Sequence, residues 1–137
     1  MSEANKATAR RFFDAYSKGD LDEVAALMAD EHVFHFILRP EPMDKEAHLK
    51  AQASLRAAAP DLKFEIEAQY SVDDLVISRG RFAGTHQGTF MGLPATGKRF
   101  DVSFMDIMRL RDGKNIEEWD CFDTLALMRA VGAVPQA

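Results

Sequence analysis

Residues 105–123 read "MDIMRLRDGKNIEEWDCFD" and predict a β-hairpin with an acidic residue in the middle of each strand. The strands are expected at about 98–110 and 115–122, with "RDGK" as the turn between them. Aspartate is depleted from strands because its short side chain competes for backbone hydrogen bonds. Asp106 and Asp120 therefore need either solvent or a chemical reason to occupy these positions.

The length of the turn decides whether the two aspartates share a face of the hairpin. A three-residue loop with Gly113 in the left-handed region places residues of equal parity on one face, whereas a loop of even length would separate the aspartates. We expect the three-residue loop. One face then carries Phe104, Asp106, Met108, Ile116, Glu118, Asp120 and Phe122. The other carries Met105, Ile107, Arg109, Glu117, Trp119 and Cys121, and Arg109 and Glu117 can pair across the strands.

Helical patterns precede most of the strands along the chain. Apolar residues at helical spacing predict helices at about 3–18, 21–28, 45–59 and 124–131, with Asp20, Asp44 and Asp123 as N-caps. Alternating or β-branched stretches predict further strands at 32–38, 62–71 and 75–84. Helices grouped ahead of antiparallel strands are typical of an α+β fold, with helices on one face of a curved sheet. We expect a single domain over residues 1–137.

Composition argues against several classes of function. The net charge of −5 gives no basic field for nucleic acid, and no apolar run approaches the roughly 20 residues of a membrane helix. The single cysteine, Cys121, cannot form an internal disulfide, and the amino terminus lacks the apolar core of a signal peptide. We therefore expect a cytoplasmic protein with neither nucleic acid nor a membrane as partner.

A curved sheet around helices leaves a conical space, which predicts a mostly apolar pocket for a small molecule. Two carboxyls on its wall would not both ionise easily, because burial and a nearby like charge each raise a carboxylate pKa. Asp106 and Asp120 are therefore the candidate acid and base. The alternative is that both are solvated, or that each is held by an arginine or a backbone amide.

Histidines and apolar side chains complete the candidate site. His35 and His86 could each donate to a substrate oxygen or carry a proton, or could be structural. We expect His32 and His48 at the surface and, because the chain has no HxxxH or cysteine cluster, no metal. Apolar substrate contacts are expected from the hairpin and from the loop "FMGLPATG", which could instead pack on the sheet edge: Phe104, Met108, Phe122, Phe90 and Leu93.

Two stretches of the sequence resemble one known family. Residues 84–100, "GTHQGTFMGLPATGKRF", followed by 107–132, "IMRLRDGKNIEEWDCFDTLALMRAVG", are similar to the SnoaL-like polyketide cyclases of the nuclear-transport-factor-2-like superfamily. The likeness extends more weakly to the amino-terminal helices and to "DEHVFHF". It implies a conical α+β barrel and a catalytic aspartate at Asp120. The accompanying histidine of those cyclases would fall at Asp106, which is a departure from the family pattern.

The leading hypothesis is a cofactor-independent enzyme that acts by general acid and base on a small apolar carbonyl compound. Asp120 would remove a proton from a carbon between carbonyls, and protonated Asp106 or His35 would donate to the oxyanion that develops during ring closure. The alternatives are an epoxide or lactone hydrolase, a ketosteroid-isomerase-like isomerase, or a noncatalytic dimer that binds a small ligand. We also expect a homodimer, because the face with Met105, Ile107 and Trp119 would otherwise expose a large apolar patch.

Overall fold

The computed structural model describes residues 2–135, in which the helices and strands follow the predicted order. The elements are α1 (Ser2–Lys18), α2 (Leu21–Ala26), β1 (Met28–Phe36), β2 (Met43–Asp44), α3 (Lys45–Ala58), β3 (Lys63–Val72), β4 (Leu75–Thr85), β5 (Arg99–Arg111), β6 (Lys114–Phe122) and α4 (Thr124–Ala130). The short β2 was not predicted. Met28 begins β1 rather than ending α2, because the start of β1 already pairs with β6 at Asn115. No helix within residues 2–135 is long and apolar enough to cross a membrane.

Over the described residues the strands form one six-stranded sheet in the order β2-β1-β6-β5-β4-β3. Strands β3 to β6 form an antiparallel meander, whereas β1 pairs with β6 in parallel, so the sheet is mixed. Helix α1 packs its apolar stripe against the sheet, and the buried core lies between them: Ala9, Phe12, Phe13, Tyr16, Val76, Phe82 and Met108. The predicted α+β fold, a curved sheet with the amino-terminal helices on one face, is confirmed.

All three predicted N-caps are present. The carboxylates of Asp20, Asp44 and Asp123 accept hydrogen bonds from backbone N–H groups three residues later, at 3.1, 2.8 and 3.0 Å. Each bond satisfies one of the N–H groups that the first turn of a helix leaves free. The Asp44 cap starts α3 directly after β2, and four-residue spacing then places His48 and Gln52 on the same, buried face of that helix.

The turn between β5 and β6 is shorter than predicted. Arg111 pairs with Lys114, so the loop contains only Asp112 and Gly113. Both residues have positive φ, 53° and 74°, as in the type I′ turns that two-residue hairpins favour. The expectation of a three-residue loop is therefore wrong, because the sequence Asp-Gly suits the tighter turn.

A bulge in β6 nevertheless keeps the two strand aspartates on the same face. Leu110 pairs with Asn115 and Arg109 pairs with Glu117, which leaves Ile116 as one extra residue in β6. An extra residue shifts the alternation by one, so it compensates for the even loop. The aspartates lie directly opposite each other, and Asn115, rather than Ile116, is buried on the inner face.

Candidate active site

A cavity of about 330 Å³ lies between the inner face of the sheet and helices α1 and α3. Nine phenylalanines contribute to its wall, among them Phe36, Phe64, Phe104 and Phe122. The polar side chains on the wall are fewer: Tyr16, Arg39, His48, Gln52, Glu118 and Asp120. An apolar cavity with a few convergent polar groups is the usual form of a small-molecule site, and the abundant rings suit a flat, aromatic ligand.

Three carboxyl groups meet beneath one side of this cavity. Asp120 lies on the wall, and Asp106, its partner across the strands, is buried behind it. Glu118, two residues before Asp120 on the same face, is also buried, and each acid places an oxygen within 4.8 Å of the other two. Among residues 2–135, no group donates a hydrogen bond to either carboxyl oxygen of Asp106. A like charge this close raises the pKa of a carboxyl group, so the three acids favour states in which they share protons.

The electrostatic setting separates the two aspartates from ordinary surface acids. Burial raises the pKa of Asp120 from 3.8 to about 8; a hydrogen bond with Asp106 opposes the rise and the charge of Glu118 adds to it. Burial raises the pKa of Asp106 well above its ordinary value, and Glu118 and Asp120 raise it further. Asp106 therefore favours its protonated form, while Asp120 can exchange a proton near neutrality.

Tyr16 of α1 brings a hydroxyl group to the same cavity. Burial raises the pKa of Tyr16, and the negative charges of Asp120 and Glu118 raise it further. The phenol therefore stays neutral and can donate a hydrogen bond to a ligand oxygen. Sequence reasoning did not identify Tyr16 as a site residue, because its spacing with Phe12 and Phe13 is that of an ordinary core stripe.

Two histidines that we expected at the surface are buried. His32 Nδ1 lies 3.1 Å from the Asn115 carbonyl oxygen, His32 Nε2 lies 2.9 Å from His48 Nδ1, and His48 Nε2 lies 3.2 Å from Gln52 Nε2. A carbonyl only accepts, so neutral His32 donates from Nδ1, His48 donates to His32, and Gln52 donates to His48. Burial lowers the pKa of both rings, which agrees with this neutral chain. His32 shares the parity of Phe34, and that signal could have placed it inside.

His35 lies outside the cavity, which corrects its expected role as a catalytic donor. Its Nε2 is 2.8 Å from a carboxylate oxygen of Glu117, and its ring stacks on Trp119. The alternation of β1 turns Phe34 and Phe36 inward, so His35 between them faces outward. The ring is held by groups of the outer face and does not reach Asp120.

Three of the six expected substrate contacts border the cavity: Phe90, Phe104 and Phe122. His86 is buried elsewhere, with Nδ1 3.0 Å from Thr96 Oγ1, beside a void of only about 10 Å³. Met108 is packed within the core, and Leu93 bridges back to Phe90 instead of facing the cavity. These three residues therefore contact other parts of the fold and do not line the cavity.

Two groups of described side chains bring three metal-ligating atoms within 4.8 Å of one another. One comprises His32, His48 and Glu118, and the other comprises the three carboxyls. In the first group the ring nitrogens already bond to each other, to Asn115 and to Gln52. In the second group, protons shared between the carboxyls are enough to explain why the three acids lie close together. We assign a metal to neither group, and the absence of a metal stays a prediction.

The mixed sheet packed on the amino-terminal helices places this chain among α+β proteins with a curved sheet, and the sheet and helices here enclose a ring-lined cavity with an acid group. The family model for SnoaL-like polyketide cyclases matches residues 6–131. The chain belongs to that family.

Individual relatives agree with the family assignment. Aklanonic acid methyl ester cyclase DauD of Streptomyces sp. (strain C5) is 28% identical over 131 residues, which cover 90% of this chain and 78% of DauD. AclR of Streptomyces galilaeus, a candidate hydroxylase, is 27% identical with a TM-score of 0.89, covering 100% of this chain and 85% of AclR. IdmH of Streptomyces antibioticus, a candidate polyketide cyclase, is 29% identical with a TM-score of 0.83, covering 93% and 98%.

Proposed function

We propose that this protein is a cofactor-independent polyketide cyclase that acts by general acid and base on an aromatic carbonyl compound. The observation that carries the proposal is the Asp120 carboxyl on the wall of a ring-lined cavity, with two further carboxyls next to it. A cavity that only binds apolar ligands has no need of a buried acid group, which costs folding energy. The relationship to cyclases that act on aklanonic acid methyl ester supports the same class of substrate.

In the proposed reaction Asp120 removes a proton from a carbon that lies between two carbonyl groups. The resulting enolate carbon attacks a second carbonyl carbon of the same molecule, so one carbon–carbon bond forms and that C=O becomes an alkoxide. The proton held by Asp120 then returns to the alkoxide oxygen. Substrate and product have the same composition, so the reaction needs no oxidant, reductant or cofactor.

The remaining side chains have supporting roles in this scheme. The neutral Tyr16 hydroxyl is the donor best placed to stabilise the enolate or alkoxide oxygen, since it borders the cavity and cannot ionise readily. The aromatic wall folds a flexible substrate so that the two reacting carbons approach each other. His35, the earlier candidate donor, has no part in it.

The direct test is to incubate the purified protein with aklanonic acid methyl ester. We expect a product of unchanged mass and altered chromatographic retention, formed faster than in buffer. The matched variants are Asp120→Asn in the cavity and Asp101→Asn on the exposed face. Asp101 lies on β5 and pairs with Arg81. Conversion should be lost in the first variant and kept in the second. Ester binding without conversion by the parent protein would favour a noncatalytic binding function.

A further inference from the structure

Glu118 is the carboxyl that connects the aspartate pair with the histidine chain. It is 2% exposed, and its Oε1 accepts a hydrogen bond of 2.9 Å from Asn115 Nδ2. Asn115 is itself fully buried, because the bulge at Ile116 turns it inward. One oxygen of Glu118 is therefore fixed by a rigid donor, while its carboxyl stays within reach of Asp106 and Asp120.

Positive charge does not balance this acid group. Among the described residues, the ion pairs of lysine and arginine involve other acids, and none reaches Asp106, Glu118 or Asp120. Buried carboxylates without a cation must be stabilised by protons and hydrogen bonds. The position of each shared proton therefore decides which of the three acids can act as a base.

Asp106 is the member of the group whose two carboxyl oxygens have no hydrogen-bond partner among the described residues. One oxygen of Asp106 lies within 4.8 Å of an oxygen of Glu118 and of an oxygen of Asp120. A proton on Asp106 satisfies one neighbour at a time. When Asp106 donates to Asp120, the bond weakens Asp120 as a base; when it donates to Glu118, Asp120 is left free.

We propose that Glu118 is a positioning residue for Asp120: held by Asn115, it accepts a hydrogen bond from the protonated carboxyl of Asp106 and leaves Asp120 free to take a proton from the substrate. Its negative charge acts in the same direction, because a like charge nearby favours the protonated form of Asp120. The inference rests on the proposed function only in calling Asp120 the base. The arrangement of protons exists without substrate and can be measured without it.

Other titratable groups near these acids come from several elements. They are Tyr16 of α1, His32 of β1, His48 of α3 and Cys121 of β6, with Arg56 acting on Tyr16, Lys45 acting on His32, and Arg39 on the cavity wall. Burial raises the pKa of the tyrosine and the cysteine and lowers the pKa of both histidines. The labelled carboxyl carbons are therefore followed directly, because their signals separate the acids from these groups.

The test is a pH titration of the carboxyl carbons by NMR in protein labelled at aspartate, with Asp120 identified by its loss in Asp120→Asn. In Glu118→Gln the side-chain oxygen can stay on Asn115, so the amide presents its NH2 rather than an acceptor to Asp106, and the negative charge is gone. We expect the midpoint of Asp120 to fall by about one pH unit or more, within the range of such charge effects. The matched control is Glu117→Gln, next along β6 but on the outer face, which should leave the midpoint unchanged. An unchanged or higher midpoint in Glu118→Gln would overturn the proposal.

A measurement on the unaltered protein keeps the proposal testable if Glu118→Gln does not fold. With glutamate and aspartate both labelled, the carboxyl carbon of Glu118 should show the shift of a carboxylate at pH 7, and Asp106 that of a carboxylic acid. The opposite assignment would contradict the proposed proton position.

Turnover separates this inference from the proposed function. If Glu118→Gln lowers the titration midpoint of Asp120 and moves the acidic limb of kcat/KM to lower pH, the positioning role of Glu118 and the proposed function of Asp120 both stand. If the midpoint falls but Asp120→Asn keeps full turnover, the positioning role stands and the function of Asp120 fails. If Asp120→Asn is inactive and Glu118→Gln leaves the midpoint unchanged, the function stands and the positioning role is wrong.

Discussion

The two faces of the β5–β6 hairpin contain acids in nearly equal number, but the acids on the two faces have different partners. On the outer face, Glu117 pairs with His35 at 2.8 Å and with Arg109 at 3.6 Å, and Asp101 pairs with Arg81 at 2.8 Å. On the inner face, the three carboxyls have one another and one asparagine amide as partners. The same two strands thus present a compensated surface and an uncompensated site.

The difference shows which acids lower the stability of the fold. Exposed ion pairs contribute about 0 to 1 kcal/mol each and can be lost at little cost. Buried acids without cations are unfavourable for folding, and such groups are concentrated at sites where chemistry needs a shifted pKa. We therefore propose that the inner face is the functional one, and variants on the two faces should behave in opposite ways.

The largest effect is expected for Asp120→Asn. Turnover should fall by about 10²- to 10⁴-fold, because the amide cannot accept a proton. The melting temperature should stay the same or rise, since a costly buried acid is replaced by a neutral group of similar size. Thermal unfolding and turnover should be measured on the same preparation. A variant that melts well below the parent yet keeps its turnover would remove Asp120 from the mechanism.

A smaller loss of turnover is expected for Asp106→Asn. The amide keeps a donor beside Asp120 but can no longer share a proton with both neighbours, so the rate should fall by less than about 100-fold. The comparison is with His35→Gln on the outer face, which should leave turnover unchanged. Initial rates of both variants at several pH values provide the measurement. Equal losses in the two variants would contradict the separation of the faces.

The inner acids should also make stability depend on pH. Because folding raises the pKa of Asp106 and Asp120, the folded chain holds more protons than the unfolded chain from about pH 4 to about 8, and the free energy of unfolding falls as pH rises. The lowered pKa values of His32 and His48 have the opposite sign and weaken the fold as pH drops below 6.5.

Urea unfolding from pH 6.5 to 8.5, compared between the parent and Asp120→Asn, measures the contribution of the carboxyl at this position. Stability should decline with rising pH in the parent, and Asp120→Asn should flatten that decline. Asp101→Asn, whose carboxylate is paired and exposed, should leave the slope unchanged. A parent protein that gains stability over this range would contradict the assigned proton uptake.

The smallest effect on the stability of one chain is expected for a substitution on the outer face, where we propose a homodimer contact. Met105 is 60% and Ile107 37% exposed, and Trp119 lies beside them. Met105→Glu would place a charge in this patch, so sedimentation should show a dimer for the parent and a monomer for the variant, with little change in unfolding of the chain. A monomeric parent at micromolar concentration would contradict the proposal.

Local patterns in the sequence were enough for the fold class and for part of the site. The helix caps depend on residues three positions apart, and the pairing of Arg109 with Glu117 depends on strand alternation; both are confirmed. The same alternation correctly placed Asp106 and Asp120 on one face. These features are determined by near neighbours along the chain, where side-chain periodicity is a direct consequence of backbone geometry.

Contacts between distant segments decided the rest. The predicted loop length was wrong, and the register was recovered only because the bulge at Ile116 added one residue. Parallel pairing of β1 with β6, more than 80 residues apart, brought His32 to Asn115 and turned His35 outward. By itself the sequence determined which residues alternate and where helices begin. Only the tertiary structure decided which face became the cavity wall and which acids lost their counter-charges, because burial depends on what packs against a face.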